Sequence, residues 1–193
     1  MKSAETKKIR KAMEKNLDVK RFEHTLGVAY TAASIAMYYD ADIKNSELAG
    51  LLHDCAKCIS HDKKIVICEK HNINISNTER QNPDLLHCKV GSFLAMEEYH
   101  VTDLDVINAI LNHTTGRPGM SLLEKIVFVA DYIEPNRRKA PNLKAIRKLA
   151  FQDLDMAVLK ILEDTISYLT VSGVEYDKKT EKSYEYYKNL LTN

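Results

Sequence analysis

The chain has 193 residues, 45% of them hydrophobic, which is the size of one domain able to bury a substantial core. Its 28 Lys and Arg residues against 27 Asp and Glu give a formal net charge of +1, which excludes the broad electrostatic field of a nucleic-acid or membrane-surface binder and leaves any anionic substrate to be held locally. The charged, amphipathic start from Met1 to Leu17 lacks an apolar signal core, and no later run is apolar for long enough to span a bilayer, so a cytoplasmic protein with no membrane or nucleic-acid partner is expected.

Apolar residues recur at helical spacing almost everywhere and strand-like alternation is nearly absent, so the expected fold class is all-α, a single helical bundle of about eight to ten helices. After a first helix over about 4–16, a second over about 19–39 carries the stripe Phe22, Leu26, Ala29, Ala33 and Met37, with His24 one turn before Val28 and aimed toward the core. The third, over about 46–58, contains Leu48-Ala-Gly-Leu-Leu-His53-Asp54-Cys-Ala-Lys57, where an imidazole and a carboxylate interrupt an apolar run. A buried carboxylate either loses its charge or finds a cation, and a metal ion would satisfy both groups; the plainer alternative is that the pair caps the helix end. Cys55 and Cys58 form a C-x-x-C in the same segment. With no βαβ pattern around it and no second close pair, we read these two and Cys68 and Cys88 as free thiols that pack as small hydrophobes.

A fourth helix covers about 61–71, and a fifth, about 85–99, sets His87 in phase with Val90 and Leu94. Thr102 and Asp105 open a helix over about 103–113 whose stripe Leu104, Ile107, Ile110 and Leu111 leads to His113. After the break Gly116-Arg-Pro-Gly119, the capping box Ser121-Leu-Leu-Glu124 starts a helix over about 121–133, and its run Ile126-Val-Phe-Val-Ala-Asp131 buries a single carboxylate that needs a partner. Beyond the break Glu134-Pro-Asn-Arg-Arg-Lys-Ala-Pro141, helices are expected over about 142–150, 153–171 and 177–191. Neither break is long enough for a domain linker, so 1–193 is read as one domain with a core over about 20–170 and a helical tail over 171–193. The tail, polar and rich in tyrosine at Tyr176, Tyr184, Tyr186 and Tyr187, is expected to pack less firmly. His61, His71 and His100 stand among polar residues near helix ends and are read as solvated.

Four imidazoles and two carboxylates on five apolar helices are what a borderline divalent transition metal requires, nitrogen and oxygen donors on a rigid frame. In this order, His24, then His53-Asp54 with Lys57, then His87, His113 and Asp131, the chain resembles the HD-domain superfamily of metal-dependent phosphohydrolases. More closely, Glu23-His24-Thr25-Leu26-Gly27-Val28, His53-Asp54-Cys-Ala-Lys57, His113-Thr114-Thr115-Gly116 and Ala130-Asp131-Tyr-Ile-Glu-Pro-Asn136-Arg137 resemble the YqeK family of symmetrical bis(5'-nucleosyl)-tetraphosphatases, which hydrolyse diadenosine tetraphosphate. The likeness runs from about Lys20 to about Leu169. It implies His24, His53, Asp54 and Asp131 as metal ligands, iron as the metal, and His87 and His113 either as ligands of a second ion or as phosphate contacts. It also implies Lys57, Thr114 and Arg137 as phosphate contacts, which suits their donor chemistry. A departure lies at Gly173-Val-Glu-Tyr176-Asp-Lys-Lys, where the family has a proline-containing stretch near the nucleotide; Tyr176 stands there as a residue able to stack on a base or simply to pack.

The expected reaction is cleavage of a dinucleoside tetraphosphate into two nucleoside diphosphates, two ADP from diadenosine tetraphosphate, with Asp54 taking a proton from the attacking water and Lys57, Arg137 and protonated His87 or His113 offsetting charge on the phosphates. Two alternatives stay open: a nucleotidase or phosphodiesterase acting on a mononucleotide, a cyclic nucleotide or a guanosine polyphosphate, and a non-catalytic nucleotide sensor. Exposed tyrosine-rich or apolar faces also leave a homodimer open.

Overall fold

A computed structural model describes residues 3–173 and 176–192, so Val174 and Glu175 of the departing stretch, and Met1, Lys2 and Asn193 at the ends, lie outside the described residues. The helices in chain order are α1 (Ser3–Asn16), α2 (Val19–Tyr38), α3 (Ile43–Leu52), α4 (His61–Lys70), α5 (Asn77–Gln81), α6 (Leu86–Glu97), α7 (Leu104–Asn112), α8 (Leu122–Ile133), α9 (Leu143–Leu149), α10 (Leu154–Val171) and α11 (Lys178–Thr192), with a 3₁₀ turn at Pro83–Leu85 before α6. The described residues contain no strand, and the all-α expectation holds. None of these helices is long and apolar enough to cross a membrane.

The helix at the centre is α8. Its residues Ile126, Val127, Phe128, Val129 and Ala130 are consecutive and all buried, which is why the sequence is apolar on every side there. One side joins Val28, Ala32 and Ile35 of α2 and Val158, Ile161 and Leu162 of α10; the other joins Leu48 and Leu52 of α3 and Val106 and Ile110 of α7. Burying each such aliphatic side chain contributes about 1.5–3 kcal/mol, so α8 is a firm base for the one carboxylate, Asp131, that it carries near its end.

The helices α2 and α3 approach until Gly50 touches α2: a Cβ there would lie 2.8 Å from Ala29 Cα. That contact sets His53, at the end of α3, beside His24, with ring centroids 5.4 Å apart.

Several expectations are corrected. The buried face of α2 is Thr25, Val28, Ala29, Ala32, Ile35 and Ala36, while Met37 of the expected stripe is 59% exposed, because α2 lies between α3 and α8 and turns the face that also holds His24 inward. The helix expected over 46–58 starts earlier, where the Asp42 side chain accepts the Asn45 N–H at 2.9 Å, and ends at Leu52; the chain then tightens into turns with Cys55, Lys57 and Ile59 donating three residues back. The cap of α7 is Asp103 rather than Thr102, and the short helix α5, with its own Ser76–Glu79 capping box, was not expected. The tail, most of whose described residues are exposed, is anchored through Tyr187, which is buried and whose hydroxyl accepts the Met120 N–H at 3.1 Å.

Candidate metal centre

The residues singled out above meet in one place, at the ends of α3, α7 and α8, the start of α6 and the first half of α2. His24 Nε2 lies 3.0 Å from Asp131 Oδ1 and 3.9 Å from Asp54 Oδ2. His53 Nε2 is 3.3 Å from Asp54 Oδ2. The other oxygen, Asp54 Oδ1, is 3.3 Å from His87 Nε2 and 3.7 Å from His113 Nε2, and those two nitrogens are 3.1 Å apart. Asp54 thus faces two pairs of histidines with its two oxygens.

All four rings are oriented by their other nitrogen. The Nδ1 of His53 donates to the Gly50 carbonyl at 2.6 Å, that of His87 to the Asp84 carbonyl at 2.5 Å, and that of His113 to the Ile110 carbonyl at 2.7 Å; His24 Nδ1 donates to Glu134 Oε1 at 3.2 Å. In each case the acceptor holds no proton, so Nδ1 carries a ring proton, and a ring without a second proton presents its lone pair on Nε2. Four lone pairs and two carboxylates then converge, and the Nε2 atoms of His24 and His53 are buried without a hydrogen bond. Arg21 and Arg137 reach one oxygen each of Asp54 and Asp131, but no donor reaches the buried Nε2 atoms of His24 and His53, and imidazoles that donate through the far nitrogen to a carbonyl or carboxylate are what metal sites use. Among the described residues, three sets of side chains each bring one donor atom apiece within 4.8 Å of the others in the set: His24, His53 and Asp131; His53, Asp54 and His113; and His87, Cys88 and His113. The donor set fits a divalent metal.

The electrostatics agree. Burial would raise the Asp54 carboxyl, but His53, His113 and His87 hold it well below the usual carboxylate range. Burial acts the same way on Asp131, and His24, His53 and Arg137 outweigh it. His24, which burial alone would lower, is raised by Asp131 and Glu134. The molecule keeps both acids ionised, as a cation requires.

The expected phosphate contacts flank this cluster. Lys57 Nζ is 3.5 Å from His87 Nδ1 and pairs with Asp84 Oδ2 at 2.9 Å. Thr114 Oγ1 is 3.4 Å from His87 Nε2 and accepts from Cys88 Sγ at 3.2 Å. Arg137 stands at the opposite end, pairing with Asp131 Oδ1 at 3.0 Å. Tyr176 joins Thr114, Thr115, Asn82 and Leu169 around a small cavity of about 60 Å³ beside the cluster. His61, His71 and His100 are exposed, as read. The four cysteines are free, but Cys58 is exposed rather than packed, and Cys88 faces the cluster.

Residues that the sequence reading missed support the centre. Arg21 donates to Asp54 Oδ2 at 2.7 Å, and Lys64, fully buried, joins Lys57 at Asp84, 3.5 Å from Oδ1. Glu134, buried and holding His24, packs on Gly27 so closely that a Cβ there would lie 2.5 Å from Glu134 Oε2, so a side chain at position 27 would displace the carboxylate that orients His24. Arg147 fixes the loop behind it, donating to the carbonyls of Ile133 and Glu134 at 2.9 Å each.

A helical bundle with a histidine–aspartate centre is the architecture of a known class, and the HD domain family model matches residues 21–136. The chain is 41% identical over 159 residues to the symmetrical bis(5'-nucleosyl)-tetraphosphatase of Bacillus subtilis (strain 168), covering 81% of this chain and 83% of the relative. It is 34% identical over 182 residues to the protein of that name from Staphylococcus aureus (strain NCTC 8325 / PS 47), covering 93% of each. A crystal structure from Clostridium acetobutylicum, described as a "predicted HD superfamily hydrolase involved in NAD metabolism", superposes with a TM-score of 0.92 at 39% identity, over 95% of this chain and 97% of that one. The chain belongs to the HD-domain family, and within it to the family that these symmetrical tetraphosphatases form.

Proposed function

We propose that this protein hydrolyses dinucleoside tetraphosphates symmetrically, releasing two nucleoside diphosphates, and that diadenosine tetraphosphate gives two ADP. The substrate follows the names of the relatives. The observation that carries the reaction class is the convergence of four imidazoles on two ionised carboxylates, with the buried Nε2 atoms of His24 and His53 lacking any hydrogen-bond partner. The chain acts as one domain in the cytoplasm, with neither nucleic acid nor membrane as partner.

In this reading His24, His53, Asp54 and Asp131 hold a divalent transition metal, iron by preference, and His87 and His113 hold a second ion. The chemistry supplied there is Lewis acidity, which lowers the pKa of water toward neutrality and polarises a phosphoryl oxygen. Asp54 receives the proton of the attacking water; because its pKa is depressed it is a weak base, and most of its contribution is as a lasting negative charge. Lys57 and Thr114 bind phosphate oxygens on the His87 side and Arg137 on the Asp131 side, so the polyphosphate lies across the cluster with a cationic group at each end. Positioning and charge compensation of this kind are most of what phosphoryl transfer needs.

The test is incubation of the purified chain, reconstituted anaerobically with ferrous iron, with diadenosine tetraphosphate, and chromatography of the products. ADP as the sole product is expected. AMP with ATP would overturn the symmetrical cut, turnover only of mononucleotides, cyclic nucleotides or guanosine polyphosphates would replace the substrate, and nucleotide binding without turnover under any metal would make the protein a sensor.

A further inference from the structure

The half of the centre at His87 and His113 contains a donor that the function above does not use. Cys88, 6% exposed, places Sγ 3.5 Å from His87 Nε2. That nitrogen is 3.1 Å from His113 Nε2, and Asp54 Oδ1 is 3.3 Å and 3.7 Å from the two. Donors around one tetrahedral zinc ion, with Zn–N of about 2.0–2.1 Å and Zn–S of about 2.3 Å, are separated by about 3.3 Å between nitrogens and about 3.5 Å between nitrogen and sulfur. The His87–His113 and Cys88–His87 spacings match those of ligands to a single ion; Cys88 Sγ also lies 3.8 Å from His113 Nδ1, and the three residues offer donor atoms within 4.8 Å of one another. Both imidazoles have their ring protons committed to the carbonyls of Asp84 and Ile110, and the thiol proton has Thr114 Oγ1 as its acceptor, a hydroxyl that can reverse and donate to a thiolate.

We propose that Cys88 supplies a thiolate to the cation held by His87, His113 and Asp54, making this half of the centre a site with two nitrogens, one oxygen and one sulfur that prefers a thiophilic divalent ion such as zinc. The inference rests on the metal-centre reading of the cluster. On binding, the S–H proton passes to solvent, a sulfur–metal bond forms and no electron is transferred. The other half, His24, His53 and Asp131, offers nitrogen and oxygen alone, the donors suited to iron, so the two halves select unlike ions. The remaining cysteines do not compete: Cys55 Sγ bonds to the Gly91 carbonyl, Cys68 packs with Ala56, Leu86 and Val90, and Cys58 is exposed and bonded to Asp18.

The experiment is an anaerobic titration of the full chain with cobalt(II), read by absorption spectroscopy together with the metal content after gel filtration. The wild type should show a sulfur-to-cobalt charge-transfer band in the near ultraviolet beside the visible bands of bound cobalt. Cys88→Ser and Cys88→Ala should lose the former and keep visible bands from the other half, and Cys58→Ser should keep both. Zinc affinity should fall in the Cys88 variants by about tenfold or more, at least the cost of losing a partner one shell further out. Cobalt bound to the wild type without the sulfur band, or with the same band in Cys88→Ala, removes Cys88 from the site and leaves the metal centre standing. A wild-type chain that retains neither cobalt, zinc nor iron overturns both.

Discussion

His24 and the other three histidines of the centre are held by different means. His53, His87 and His113 each stand within a residue or two of a helix end and are oriented by a carbonyl three residues earlier in the chain. His24 lies inside α2 and is oriented by a carboxylate 110 residues away. The first kind of support is a property of the local turn and has no side chain that a mutation removes; the second exists only once α2 and the end of α8 have packed. The His87–His113 half is therefore oriented by local geometry, whereas the His24–His53 half combines one local support with one that depends on the assembled core, and Asp54 is the group the two share.

The shared group is where the largest effect lies. Asp54→Asn keeps the shape and removes the charge from both halves at once, so kcat should fall by about 10²–10⁴-fold and metal content should drop at both positions. Asp131→Asn replaces a charged carboxylate by a neutral amide in one half only and should cost one ion of two. Metal analysis and steady-state kinetics on both variants check this, and full activity in metal-loaded Asp54→Asn would break the idea that the halves meet there.

Glu134 separates the halves. Glu134→Ala frees His24 Nδ1 and should lower the affinity of the His24 half for metal by about 10- to 100-fold, the usual effect of removing such a partner. The cobalt–sulfur band assigned to the other half should persist. Glu134→Gln, whose amide oxygen still accepts from Nδ1 and fills the space against Gly27, should recover most of the loss. Equal damage to both halves would show that the tertiary contact supports the whole centre.

The same division explains what could be read before the structure. The helices announced themselves because α8 buries most of its surface, α2 buries one continuous face, and the capping box at Ser121 is local. The inward-facing histidines and acids stood out because polar groups are costly in apolar runs. What stayed hidden was mostly one helical turn from what was found: Arg21 three residues before His24, Asp84 three before His87, Glu134 three after Asp131. Each is a charged residue in a stretch already charged, and nothing in composition separates a buried Glu134 from a solvated one. Cys88 was hidden for the opposite reason, since a cysteine in an apolar helix is ordinarily packing. The end of α3 at Leu52 was misplaced because the turns after it keep helical spacing of apolar residues while their hydrogen bonds shorten to three residues.

The smallest effect expected is at the two cationic ends, and it sharpens the comparison by asymmetry. A hydrogen bond to a charged group is worth about 1.5–3 kcal/mol, so Lys57→Ala should reduce kcat/KM about 10- to 100-fold. Arg137→Ala should cost less, because its side chain is 44% exposed against 23% for Lys57, and solvent screens what it contributes. It also releases Asp131 Oδ1, so metal affinity in the His24 half should hold or rise while KM rises. Measuring KM for diadenosine tetraphosphate at low and high salt tests the difference: the Arg137 contribution should fade as salt is added and that of Lys57 should persist more. If both variants lose the same factor with the same salt dependence, the two ends of the polyphosphate meet equivalent environments and the asymmetry between the halves stops at the metal.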